Sequence, residues 1–213
     1  MLKLGSIGFV VALLLLAAAG CGQAPAPLVY GSSGSSASSS LRAKDTRLDD
    51  SLIRALWERD SETVRSLLAK GANANARDEF GYPALLLAAG DGQIESVRAL
   101  LEAKADVAQR DPDQRTALME GAESGVADVV LQLLAKGADL KAKDNLQWTA
   151  LHGAAFYGKT DTVKALIAAH ADISARTDRG KTPDQLADEM GFPDVAKLVR
   201  DAGPRIPTLP PTL

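Results

Sequence analysis

The feature that most constrains the fold of this chain is a period of 33 residues that runs through most of its length. Within each period a valine, then a leucine three positions later, then a second aliphatic residue fall at helical spacing i, i+3 and i+4. The aligned sets are Val64, Val97, Val130 and Val163; Leu67, Leu100, Leu133 and Leu166; and Leu68, Leu101, Leu134 and Ile167. Units of this length bury their apolar faces only against each other, so the period predicts a stack of helical repeats.

A second helical register lies earlier in each period. It combines a leucine with a small residue three positions later, which lets two helices approach closely: Leu52, Leu85, Leu118 and Leu151, then Ala55, Ala88, Gly121 and Ala154. Short polar side chains recur between the helical segments, where they favour turns by bonding nearby backbone N–H groups: Asp45, Asp78, Asp111 and Asp144, and Asn73, Asp106, Asp139 and Asp172.

The segment 149–154, Thr-Ala-Leu-His-Gly-Ala, resembles the T-P-L-H-x-A signature of the ankyrin repeat, and 136–139, Lys-Gly-Ala-Asp, resembles its G-A-D turn. The resemblance implies an all-α solenoid of helix-turn-helix units with β-turn fingers. Thr116 and Thr182 fall on the signature threonine, where they are expected to cap a helix. We expect an ankyrin domain over 44–203, with units at about 45–77, 78–110, 111–143, 144–176 and 177–203.

Several positions depart from the repeat pattern. Asp50 and Asp184 replace the threonine of the first unit and the leucine of the last, as expected for capping units with a polar outer face. Lys104 and His170 stand where other units have the glycine of the helix-ending turn. A left-handed conformation there costs a non-glycine residue about 1 kcal/mol, so these two turns are expected to be weaker.

The N-terminal segment has the layout of an export signal: Lys3, an apolar run over 7–19, and small residues before Cys21. Residues 18–21, Ala-Ala-Gly-Cys, resemble a bacterial lipobox, which implies a signal peptide over 1–20 and lipid on Cys21. Gly22 in place of aspartate implies the outer membrane. The alternative is a plain secretory leader with an incidental cysteine.

Two segments without apolar periodicity flank the repeats. Residues 21–43 are rich in Gly and Ser and are expected to form a flexible linker, which would hold the folded part close to the membrane. Residues 204–213 contain four prolines and are expected to leave the last unit as an extended tail.

Ankyrin domains generally bind partners through the finger tips and the exposed side of the first helix of each unit, so the resemblance also implies a binding surface. The residues at these positions are Trp57, Phe80, Tyr82, Arg115, Glu123, Leu146, Trp148, Phe156, Tyr157, Arg179 and Lys181. Of the seven aromatic residues in 45–203, all except Phe192 are among them. Aromatic and arginine side chains dominate protein interfaces, although the same rings could instead stabilise neighbouring fingers.

The sequence offers little for catalysis. It lacks a nucleophile elbow, a phosphate-binding glycine loop and a zincin motif. The resemblance implies a structural role for His152, which would bond neighbouring fingers, while His170 lies at a turn and Glu120 and Glu123 are expected to be solvated charges on a helix surface. One cysteine excludes a cysteine-based zinc site, and a net charge of −3 argues against nucleic acid. We expect no cofactor, no metal and no enzymatic activity.

The sequence therefore predicts a membrane-tethered protein-interaction module of the bacterial cell envelope. Its partner is expected to be another exported or membrane protein, with no small-molecule substrate, and the chain is expected to be monomeric. Two alternatives remain open: an inhibitor, immunity-type or protective partner of a periplasmic enzyme, and an unrecognised envelope hydrolase.

Overall fold

The computed structural model describes residues 36–203, with side chains from Arg47 onward. This part of the chain contains ten α-helices and no β-strand, which confirms the predicted all-α class. The helices are α1 (Ser36–Trp57), α2 (Ser61–Ala69), α3 (Ala84–Gly90), α4 (Ile94–Glu102), α5 (Ala117–Ser124), α6 (Ala127–Ala135), α7 (Ala150–Phe156), α8 (Thr160–Ala168), α9 (Pro183–Glu189) and α10 (Pro193–Asp201).

The helices follow one another as pairs, and the two members of a pair are joined by only two or three residues, so they run antiparallel. The first helices of the pairs, α1, α3, α5, α7 and α9, pack against each other in chain order and form an inner layer. The second helices, α2, α4, α6, α8 and α10, stack in the same order as an outer layer. The structure is therefore a two-layered solenoid, as the 33-residue period predicts.

The core lies between the two layers and consists of the periodic apolar residues. Val64, Val97, Val130 and Val163 are fully buried, and the periodic leucines of the inner layer are at most 2% exposed: Leu52, Leu85, Leu118 and Leu151. The predicted role of the small residues is also confirmed, because a Cβ atom on Gly121 would lie 2.9 Å from Val129 Cγ1. Only a residue without a side chain lets α5 and α6 meet at this distance.

Each helix pair is joined to the next by a finger of 14 residues: the first finger is 70–83, the second 103–116, the third 136–149 and the fourth 169–182. An aspartate closes the turn at the tip of the first three fingers, and Thr177 takes its place in the fourth. In the first finger Asp78 Oδ1 accepts hydrogen bonds from the N–H groups of Phe80 and Tyr82. In the third, Asp144 Oδ1 accepts them from Leu146 and Trp148. Asp78, Asp111 and Asp144 thus have the predicted turn function, whereas Asp45 lies within helix α1 and the turn predicted there is wrong.

Long side chains join neighbouring fingers. Arg77 Nη1 of the first finger donates to its own Gly81 carbonyl and, 33 residues on, to the Arg110 carbonyl of the second. Arg110 repeats the arrangement with the carbonyls of Gln114 and Lys143. The first two finger joints are therefore closed by an arginine that bonds backbone on both sides.

The first helix begins inside the segment predicted to be a linker. Helix α1 starts at Ser36, so residues 36–43 are helical and the expected boundary at residue 43 is wrong for them. Ala37, Leu41, Arg42 and Ala43 in this stretch are good helix formers, and a helix that is already nucleated by packing extends at low cost. The signal peptide, Cys21, the rest of the linker and the whole tail lie outside the described residues.

The two turns predicted to be weak adopt the left-handed conformation. Lys104 has φ 63° and His170 φ 64°, whereas the equivalent Gly71 and Gly137 have φ 93° and 83°. We expect Lys104→Gly and His170→Gly each to raise the free energy of unfolding by about 0.5–1 kcal/mol, since glycine relieves the strain and its unfolded-state entropy offsets only part of the gain. Urea unfolding measures the change. The reverse change Gly137→Lys provides the control and should destabilise by a similar amount.

Candidate functional site

The candidate surface is built from pairs of residues that lie eight positions apart and touch. One member comes from the tip of a finger and the other from the end of the following inner helix. Arg115 contacts Glu123 at 2.5 Å, the Trp148 and Phe156 rings meet edge to face at 5.2 Å between centroids, and Lys181 forms an ion pair with Glu189. The pairs recur every 33 residues and form adjacent steps on one face of the solenoid. Glu189 was absent from the sequence-based set, although the same offset of eight would have found it.

The predicted site residues differ in exposure. Exposed side chains are Trp57, Phe80, Leu146, Tyr157 and Arg179; half-buried side chains are Tyr82, Arg115, Glu123, Trp148, Phe156 and Lys181. Trp148, Phe156 and Tyr157 form one continuous ring cluster, in which Phe156 and Tyr157 also meet edge to face at 5.1 Å. Trp57 and Phe80 contact no other ring in the described part of the chain. The structure thus brings three of the six predicted rings together.

Phe192, the one ring that the sequence did not assign to the surface, packs over a turn. A Cβ atom on Gly158, which has φ +65°, would lie 2.5 Å from the Phe192 ring. Gly92 lies under Val126, and Gly125 under Lys159, in the same way. The glycines of these three turns therefore leave space for a side chain of the next repeat, which gives Phe192 a structural role.

Below the second finger lies a group of buried charges, here called the Arg115 cluster: Asp111, Arg115, Glu120 and Glu123. Arg115 Nη2 lies 2.5 Å from Glu123 Oε1, and Arg115 Nε lies 2.7 Å from Glu120 Oε1. The Nε contact is not aligned as a hydrogen bond, so it is an ion pair only. The side chains of both glutamates are only 13% exposed, and the expectation that they are solvated surface charges is wrong. The finger covers them because Arg115 reaches down between the two carboxylates.

The cluster holds more negative than positive charge. Burial raises the pKa of Glu120 from 4.5 to about 7, because Arg115 offsets only part of the lost hydration and Glu123 adds repulsion. Burial likewise raises the pKa of Glu123 and of Asp111. Asp111 is 3% exposed, and its Oδ2 has no hydrogen-bond partner among the described residues. The positive charge of one guanidinium therefore acts on three carboxyl groups.

A tyrosine lies on either side of the cluster, Tyr82 from the first finger and Tyr157 from the end of α7. Burial is the main reason that the pKa of each tyrosine is raised, and nearby carboxylates raise it further, Asp111 acting on Tyr82 and Glu123 on Tyr157. The inner helix leaves room for the cluster as well, because a Cβ atom on Gly153 would meet Glu123 Cγ at 2.8 Å. The charges thus lie between two rings on the candidate surface.

Replacing Glu120 with glutamine is expected to change how stability depends on pH. The folded-state pKa of Glu120 lies above the unfolded value, so the folded wild-type chain loses stability as pH rises from 4.5 to about 7. Compared with wild type, Glu120→Gln should have a similar free energy of unfolding at pH 5 and one higher by up to about 3 kcal/mol at pH 8. Urea unfolding at both pH values measures the difference, and a constant difference would contradict the assignment.

His152 has the structural role that the signature implies. Its ring is fully buried, and Nδ1 accepts a hydrogen bond from the Thr149 N–H at 3.1 Å. The proton therefore lies on Nε2, which donates to the carbonyls of Ala175 and Lys181 in the fourth finger. The histidine closes the joint between the third and fourth fingers, where the arginine of the earlier joints is replaced by Lys143.

The arrangement of inner helices, outer helices and fingers agrees with a comparison against protein families. The model described as ankyrin repeats (3 copies) matches residues 52–144 and 128–208. The chain belongs to the ankyrin repeat family. No curated protein matches this ankyrin chain.

Ankyrin repeats are typically non-catalytic scaffolds for protein interaction, and the surface of paired residues fits that use. The Arg115 cluster is held by ion pairs, and the ring cluster by edge contacts. Within residues 36–203, no helix of this ankyrin domain is long and apolar enough to cross a membrane.

Proposed function

We propose that this chain is a protein-interaction module that binds its partner on the concave groove formed by the finger tips and the inner helices. The observation that carries the proposal is the row of pairs eight residues apart. These pairs place charged, aromatic and again charged side chains on one face, while the apolar faces of both helix layers are used for packing. Mixed aromatic and charged surfaces of this kind favour protein partners.

We further propose that the domain consists of five repeats and is tethered in a bacterial cell envelope. Five consecutive helix pairs support the number of repeats. The lipobox-like residues 18–21 support a lipid anchor on Cys21, and the small residue after it supports the outer membrane. The partner is then another exported or membrane protein, bound by a single copy of this chain without a cofactor.

The test is in-situ photo-crosslinking from the groove, followed by mass spectrometry of the captured protein. Three exposed groove residues are replaced together, Phe80→Ser, Leu146→Ser and Tyr157→Ser, because the half-buried rings would also cost stability. We expect capture to fall about 100-fold or more, as loss of several interface anchors implies.

The matched control is Leu131→Ser on outer helix α6, since Leu131 is 51% exposed and Leu146 53%. Its capture should equal that of wild type. Equal loss in both variants, or none in the triple variant, would overturn the groove as the binding surface. Cys21→Ala, which should release the chain from the membrane fraction, tests the tether separately.

A further inference from the structure

The Arg115 cluster carries a charge imbalance that the chain itself does not resolve. Glu120 and Glu123 pair with one guanidinium, Asp111 Oδ1 accepts the backbone N–H of the same arginine, and the Oδ2 atom of the nearly inaccessible Asp111 is unpartnered within the described residues. A buried carboxylate is costly unless a cation pairs with it. A second positive charge delivered from the groove side would therefore be stabilised there.

The two tyrosines beside the cluster favour an organic cation. The faces of aromatic rings attract ammonium and guanidinium groups, and the attraction strengthens as the site loses water. Tyr82 lies in the finger before the cluster and Tyr157 at the end of the inner helix after it, and the carboxylates act on the pKa of both, so a side chain that enters between them meets rings and negative charge together. Lysine and arginine have this chemistry, and both have long apolar stems that suit the ring edges.

The rings one repeat further along the groove indicate which second residue of the partner segment would bind. The rings of Trp148 and Phe156 lie one repeat away, and helices of adjacent repeats pack about 10 Å apart. An extended peptide covers about 3.3 Å per residue, so about three residues link the two sites. A cation at one position then places the residue three positions away on the rings.

We propose that the partner presents an extended segment in which a lysine or arginine enters the Arg115 cluster and a large apolar residue three positions away packs on Trp148 and Phe156. This inference rests on the proposed function, because it names the partner segment of the same groove.

Selection of random twelve-residue peptides displayed on phage against the full chain tests it directly. We expect the enriched peptides to share a lysine or arginine three positions from a large apolar residue. In fluorescence anisotropy, a selected peptide should bind at least about tenfold more weakly when norleucine replaces its cation, a change that keeps the apolar stem and removes the charge. This comparison needs no protein variant, so misfolding does not affect it.

On the protein side, Glu120→Gln with Glu123→Gln should weaken the same peptide by about tenfold or more. Glu95→Gln on outer helix α4 is the matched control, because Glu95 also pairs with an arginine, Arg98, but lies on the other layer. Enriched peptides without a cation, or full affinity of the norleucine analogue, would overturn the inference. If in-situ crosslinking still captures one protein through the groove, the proposed function survives that result; if nothing is captured, both fail.

Discussion

Arg115→Met is expected to lower the free energy of unfolding by about 3–5 kcal/mol at pH 8, the usual cost of removing one partner from a buried ion pair. Methionine keeps the length of the side chain, so the loss reports charge rather than volume. The two glutamates that Arg115 contacts are 13% exposed and would lose their counter-ion, so the folded state would have to bury unpaired carboxylates or take up protons, and both cost free energy at pH 8. Urea denaturation gives the free energy and, through its slope, shows whether the repeats still unfold together.

The matched control is Arg98→Met, because Arg98 pairs with Glu95 at 3.3 Å but is 54% exposed on the outer layer. An exposed pair contributes little, so this variant should lose less than about 1 kcal/mol. Adding Glu120→Gln and Glu123→Gln to Arg115→Met should restore most of the stability. An Arg115 variant as stable as the Arg98 variant would show that the cluster is not energetically coupled.

His152→Ala is expected to lower the free energy of unfolding by about 3–4 kcal/mol at pH 8. The change leaves a cavity in a fully buried position and removes the donor for two carbonyls of the fourth finger. Thermal unfolding and amide hydrogen exchange measure the effect. Exchange should accelerate most in 169–182, because that finger loses its link to α7.

His170→Ala is the control for His152, since His170 is exposed and alanine is as strained as histidine at its left-handed backbone. It should alter stability by no more than about 0.5 kcal/mol. Similar losses in the two histidine variants would contradict the role assigned to His152 as the joint between fingers.

The period predicted the solenoid because it reports packing that every repeat must satisfy. Leucines and valines recur where two helix layers meet, and the left-handed turns at Lys104 and His170 match the glycines that occupy the equivalent positions. Burial of Glu120 was missed because its hydration depends on an arginine from the finger above. A signal was available, since the equivalent positions of the second, fourth and fifth units hold Leu87, Gly153 and Leu186, none of them polar; only the first unit, where Arg54 is exposed, has a charge there.

The start of α1 shows a different limit of prediction from sequence. Residues 36–43 have the composition of a linker, yet they continue a helix whose later turns pack on α2 and α3. Composition describes how a segment behaves alone, whereas helix extension depends on the packing of the adjoining turns. The ring cluster shows the same limit. The sequence placed Trp148, Phe156 and Tyr157 on one surface, but it did not show that a finger residue touches the helix residue eight positions later, which is what brings the ring edges together.

The three finger joints are built from different chemical groups. The first two consist of hydrogen bonds that the guanidinium groups of Arg77 and Arg110 donate to backbone carbonyls of the next finger. The third depends on a neutral His152, and burial lowers the pKa of that ring. Protonation would remove the acceptor for Thr149, so the free energy of unfolding decreases as pH falls below about 6.5, the pKa of a histidine in the unfolded chain. Acidification would therefore destabilise the C-terminal end of the solenoid before the rest.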